Sequence, residues 1–160
     1  MIIRNLGVLA ITVVLVLGQA VGSAEPTFTK DHWIHFTTVA EAKALLANQD
    51  IYIQGLSPFE RAAKIKQAGP VSTDQYINFI KDQAIEWTDE DKAKLREVIA
   101  AAKPKLTRFA KHLPERIDLI KTTGNDEGAA PYTRGTSVIL PRRRAGQSAK
   151  GLERLFYHEL

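Results

Sequence analysis

Between about residue 38 and residue 113, apolar residues recur every three or four positions, the spacing of one face of a helix. Four helix starts are marked within this pattern. Capping boxes begin at Thr38, Ser57 and Ser72, and Thr88 is followed by three carboxylates. The pattern therefore predicts a helix after each of them. Gly69-Pro70 is expected to end the second helix, and Pro104 to kink or divide the last one.

The pattern changes after Pro114. Residues 116–123 and 135–140 are rich in β-branched residues and predict two strands. Ser148 then predicts the N-cap of a last helix, with Leu152 and Leu155 facing inward. The sequence therefore predicts an α+β fold, in which a helical region (residues 25–114) is followed by a short sheet and a helix (residues 115–160).

The first 24 residues have the three parts of a signal peptide. Arg4 supplies the positive start, residues 6–17 form an apolar run, and Gly22 and Ala24 are small residues suited to cleavage after Ala24. The alternative is an uncleaved anchor, but a spanning helix needs roughly 20 apolar residues and this run has about a dozen. We therefore predict a secreted or periplasmic protein that has no membrane contact after cleavage.

Charge and cysteine content narrow the function classes further. The chain has no Cys, so it has neither disulfides nor a lipid-modified cysteine. Its net charge is only +4, with both signs interspersed, which gives no case for binding nucleic acid. The one dense cluster, residues 142–144, is interpreted as a solvated loop rather than as an anion contact.

One motif carries chemistry. In an H-E-x-x-H helix, two His at i and i+4 bind zinc, and the Glu after the first His is the general base. His158-Glu159-Leu160 matches its first three positions and has uncharged flanks. Residues 116–160 accordingly resemble the front of a zincin-type metallopeptidase: strand, loop, strand, active-site helix. The wider run from about residue 37 also resembles uncharacterised bacterial exported proteins in which such a sequence continues into a complete motif.

This resemblance implies that His158 is a zinc ligand, that Glu159 is the catalytic base, and that a peptide or protein is the substrate of the full-length parent. It also implies that residues 135–140 bind the substrate backbone. The second His would fall at position 162, beyond the last residue. We therefore expect an N-terminal fragment that lacks zinc and is inactive by itself. The alternative is a non-catalytic exported helical protein that binds another macromolecule or serves the cell envelope.

Other polar residues have weaker claims to a site. Asp31, His32 and His35 are close in sequence and could hold a metal, although a role as polar residues leading into the first helix is the preferred interpretation. Asp126 and Glu127 lie in a Gly-rich segment that has too few regularly spaced oxygen ligands for calcium. They are expected to be solvated loop residues.

Overall fold

The structure is a computed structural model, and it describes residues 34–159, except for the side chains of residues 110, 156 and 159. The predicted signal peptide, Asp31 and His32 lie outside the described residues. The strands are β1 (Ile34–Phe36), β2 (Ile117–Thr122), β3 (Tyr132–Arg134) and β4 (Ser137–Pro141). The helices are α1 (Val39–Leu46), α2 (Ile51–Gly55), α3 (Pro58–Lys64), α4 (Thr73–Lys81), α5 (Asp89–Leu106), α6 (Arg142–Ala145) and α7 (Ala149–Glu159), with a 3₁₀ helix (Thr107–His112) after α5.

The predicted helix starts are confirmed. Thr38, Ser57, Ser72 and Thr88 cap α1, α3, α4 and α5, and each belongs to a complete capping box. The Ser148 hydroxyl likewise accepts a hydrogen bond from the Gly151 N–H at 3.3 Å, at the start of α7. These caps satisfy N–H groups that the first helical turn leaves without partners.

Three details differ from the sequence prediction. Helix α3 ends at Lys64, well before Gly69, because Lys66 adopts a left-handed conformation with φ of 55° that cannot continue the helix. Pro104 does not divide helix α5, which continues to Leu106 before the chain tightens into the 3₁₀ helix. The predicted loop at residues 142–144 is the start of the short helix α6.

The strands form one mixed sheet with the order β1-β2-β4-β3. β1, β2 and β4 are parallel, and β3 pairs antiparallel with β4. A two-residue turn joins β3 to β4, and its first residue, Gly135, has a φ of 56° that suits a tight hairpin. β1 and β2 are neighbours in the sheet, but helices α1–α5 come between them in the sequence.

The two faces of the sheet bury separate cores. Ile120 and Ile139 pack against helices α1–α4, whereas Leu119 and Val138 point the other way, towards α5 and α7. This division follows from the alternation of side chains along a strand. The α+β class is therefore confirmed, with the sheet covered by helices on both faces. Among residues 34–159, no helix combines the length and apolar character needed to cross a membrane.

Candidate functional site

Helix α7 carries the predicted zinc ligand. Leu152 and Leu155 lie on its inner face, in the core between the sheet and α5. Burial of each leucine contributes about 2 kcal/mol to holding the helix in place. His158 lies on the same helix, with its side chain exposed. Glu159 is the last residue of α7, and its side chain lies outside the described part of the chain.

The described residues do not by themselves fit a zinc site. Between residues 34 and 159, no three His, Asp or Glu side chains converge closely enough to hold a metal ion, and stable zinc sites use three or four protein ligands. The His35 Nε2 atom lies 3.1 Å from Glu41 Oε2 at the start of α1, so this imidazole pairs with a capping residue. His112 is exposed at the end of the 3₁₀ helix.

The expectation that residues 135–140 bind the substrate backbone is wrong for residues 137–139, which are half of the segment. Residues 137–139 of β4 pair with β2 on one side and with β3 on the other. Their backbone hydrogen-bonding groups are used within the sheet, so an added strand has no place to pair. The edge strand on this side of the sheet is β3.

The segment between β2 and β3 contains a polar centre that the sequence analysis did not predict. Asp126 has no exposed surface, so the expectation of a solvated side chain is wrong. Its carboxylate accepts hydrogen bonds from the Thr122 hydroxyl and the Tyr132 hydroxyl, both at 2.9 Å. Burial raises the pKa of Asp126, and the two hydroxyl donors oppose that shift.

Glu127 bonds to side chains of the helical layer. Its carboxylate accepts hydrogen bonds from the Tyr52 hydroxyl, the Tyr76 hydroxyl at 3.2 Å and the Lys64 ammonium group at 2.6 Å. The side chain is only 11% exposed, so this expectation of a solvated residue is also wrong. Burial, followed by the contact with Glu127, raises the pKa of Tyr52; burial likewise raises that of Tyr76.

The backbone of this segment is fixed as well. Gly124 has a φ of 95°, and a Cβ at this position would lie 3.1 Å from Pro141 Cβ. The Ala129 N–H donates to the Gly124 carbonyl at 2.8 Å, which closes the loop. We call residues 124–128 the acidic loop. It connects the sheet through Asp126 to helices α2, α3 and α4 through Glu127.

An open pocket of about 290 Å³ lies between the end of α1 and the turn from β3 to β4. Its apolar lining consists of Leu45, Leu46, Ile120 and Ile139, and Asp50 and Arg134 are among the polar residues. The guanidinium of Arg134 is already used, because it donates to the Asp50 carboxylate and to the carbonyls of Leu46 and Asn48. The Arg134 side chain is 3% exposed, so its role is to attach β3 to the end of α1.

These contacts define what the centre can do chemically. In the described part of the chain, every fully buried side-chain nitrogen or oxygen has a hydrogen-bond partner. The acids, tyrosines and cations of this centre bond to one another. These bonds stabilise the fold and position β3.

Sequence reasoning missed this centre because its members are far apart in the chain. Glu127 bonds to residues that precede it by 51, 63 and 75 positions. The local signal was limited to two acids between glycines.

Comparison with protein-family models, with curated proteins and with solved structures finds no match to this chain.

Proposed function

We propose that this chain forms the N-terminal part of an exported zinc metallopeptidase-like protein, with a peptide or protein substrate. In this proposal His158 is a zinc ligand and Glu159 is the general base. The remaining ligands come from residues that follow position 160 in a longer chain, the first of them a His at position 162. The residues described here supply no complete zinc site, so no catalytic step is assigned to this chain alone.

The observation that carries the proposal is the setting of His158. It lies on a helix that Leu152 and Leu155 anchor against the sheet, and it follows Leu155 by three positions, so it borders the anchored side of the helix. A metal-binding helix needs such anchoring, because ligands must be held in place before the metal binds. The zincin resemblance implies the order strand, loop, strand and helix, and this part of the chain follows it with one additional strand, β3, and with the short helix α6 before α7.

The first test is the coding sequence after the Leu160 codon. An in-frame codon for His at position 162 supports the proposal. A natural stop codon directly after Leu160 would refute it and favour the non-catalytic exported binding protein.

The second test uses the longer chain, if the gene encodes one. Metal analysis and cleavage of a mixed peptide library are measured for the wild type, for H158A and for E159Q. H158A should lose bound zinc, because it removes a ligand. E159Q should keep zinc and lose cleavage by at least about 100-fold, because it removes the base but leaves the ligands. H112A and E115Q alter exposed residues outside the motif and serve as matched controls. Cleavage by E159Q at the wild-type rate would contradict the assigned role.

Export is tested separately. Expression in a bacterium with a periplasm, followed by N-terminal sequencing, should give a mature protein that begins at Glu25. Recovery of the protein only in the cytoplasm with Met1 intact would contradict the predicted export without bearing on the zinc site.

A further inference from the structure

Helices α5 and α7 pack side by side, and their outward surfaces carry cations and aromatic rings. The Lys105 Nζ atom lies 3.1 Å from Glu153 Oε1 and 5.2 Å from the centre of the Tyr157 ring. The Arg108 guanidinium lies 4.8 Å from the centre of the Phe109 ring. Phe109 and Tyr157 are 47% and 39% exposed, although both are large and aromatic. Lys105 therefore joins the end of α5 to the outer side of α7, and Arg108 and Phe109 lie in the 3₁₀ helix that directly follows α5.

The spacing on α7 extends this surface along the helix. Lys150, Arg154 and Tyr157 are spaced i, i+4 and i+7, so they lie on one side of α7, and all three are exposed. We call the following residues the basic face: Lys105, Arg108, Phe109, Lys150, Arg154 and Tyr157. Glu153 is the acid that lies among them, and its carboxylate is paired with Lys105.

Cations outnumber acids in this part of the molecule. Residues 97–115 contain four Lys or Arg and two Glu, and residues 142–159 contain five Lys or Arg and two Glu. The two stretches together carry a net charge of +5, whereas the whole chain carries +4, so the rest of the chain carries −1. Packing of α5 against α7 brings Lys105 beside Glu153 and Tyr157.

We propose that the basic face docks on the surface of a lipid bilayer that contains anionic phospholipids. Lys and Arg side chains are attracted to the negative headgroups, and exposed aromatic rings enter the headgroup layer. Phe109 and Tyr157 each lie beside a cation, which is the combination this contact requires. The predicted export brings the protein to a membrane surface, which favours lipid over nucleic acid as the partner. Sequence alone predicted no membrane contact after cleavage, because it did not place these cations together.

The experiment measures binding of the full chain to vesicles. One set is neutral phosphatidylcholine, and the other contains about 30% phosphatidylglycerol, at about 0.1 M salt. The test variant, R108E/R154E, reverses two cations of the face and leaves the Lys105–Glu153 pair intact. The control variant, K66E/K81E, makes the same charge change on the helical layer. The wild type and both variants have the same N-terminal segment, so any contribution of this segment to vesicle binding is equal in all three. Circular dichroism checks that each protein is folded.

The wild type should bind the anionic vesicles at least tenfold more tightly than the neutral ones. R108E/R154E should weaken this binding by at least about 25-fold, because each substitution removes a cation, which contributes roughly fivefold, and also adds an anion. K66E/K81E should weaken it by less than about threefold. Equal affinity for both vesicle types, or equal losses in the two variants, would overturn the proposal. So would tighter binding to an oligonucleotide that R108E/R154E abolishes. None of these outcomes depends on zinc or on peptide cleavage, so they are independent of the proposed peptidase.

Discussion

Replacing Glu127 with Gln tests whether the acidic loop stabilises the fold. Gln keeps an oxygen that can accept from the hydroxyls of Tyr52 and Tyr76. It also loses the negative charge and places an amide N–H₂ group opposite the Lys64 ammonium, which is 2.6 Å from the wild-type carboxylate. The mutation therefore sets a donor against a donor in a site that is mostly buried.

The expected cost follows from these contacts. A hydrogen bond to a charged group contributes about 1.5–3 kcal/mol, and the lower end applies here because Lys64 is 25% exposed and can turn towards water. The hydrogen bonds from Tyr52 and Tyr76 would go to a neutral oxygen instead of a charged one, which weakens each of them by about 0.5 kcal/mol. E127Q should thus lower the free energy of unfolding by about 2–3 kcal/mol. E127A should cost more, because it leaves two partly buried hydroxyls without their acceptor.

Urea unfolding followed by circular dichroism measures this difference. E86Q removes a charge at an exposed position and should change the unfolding free energy by less than about 0.5 kcal/mol. The double-mutant cycle of E127Q with K64M should give a coupling of about 1–2 kcal/mol. An E127Q cost below about 0.5 kcal/mol, or a coupling near zero, would refute the view that this carboxylate joins the helices to the sheet.

Three further substitutions test neighbouring contacts by the same unfolding assay. D126N removes a carboxyl whose pKa is raised in the folded protein, so folding takes up a proton there. Wild-type stability should therefore rise relative to D126N as the pH falls from 7, with the gain complete below about pH 3.9; a constant difference would contradict this. R134K should lower the free energy of unfolding by about 2–3 kcal/mol, because an ammonium group cannot reproduce the forked contacts of the guanidinium to Asp50 and two carbonyls. An unfolding free energy equal to that of the wild type within error would contradict this expectation. G124A should lower the free energy of unfolding by about 1–3 kcal/mol, because φ is 95° and the new methyl group meets Pro141. G55A is the control, because no atom lies within 4 Å of a Cβ added at that position.

The elements that sequence reasoning found are those with local signals. Ser57 followed by Pro58 and Glu60 fixes a helix start through contacts within four residues. In β2, Ile and Leu residues and a final Thr outnumber the two charged residues, Asp118 and Lys121. β1 was missed because a three-residue strand has too few positions to display a pattern. Helix α2 was missed for the same reason, since it has only five residues after its Asp50 cap.

The candidate sites were harder to predict, because their properties depend on residues distant in sequence. Asp126 and Glu127 look like ordinary turn residues until tyrosines from α2, α4 and β3 cover them. The motif at His158 is the opposite case, since it is visible in the sequence alone. Its helix forms as predicted, and its roles in zinc binding and catalysis remain predictions.

The pairing of β1 with β2 limits how quickly this protein can fold. Ile34 pairs with Ile117, which follows it by 83 positions (117 − 34), and closing such a long loop has a large entropic cost. Capped helices can begin to form from local contacts, but their core includes Ile120 and Ile139 from the later strands. During synthesis, which proceeds from the N-terminus, β1 therefore stays unpaired until most of the third quarter of the sequence has followed. Folding kinetics should accordingly resemble those of proteins rich in non-local contacts, which are slow for their size.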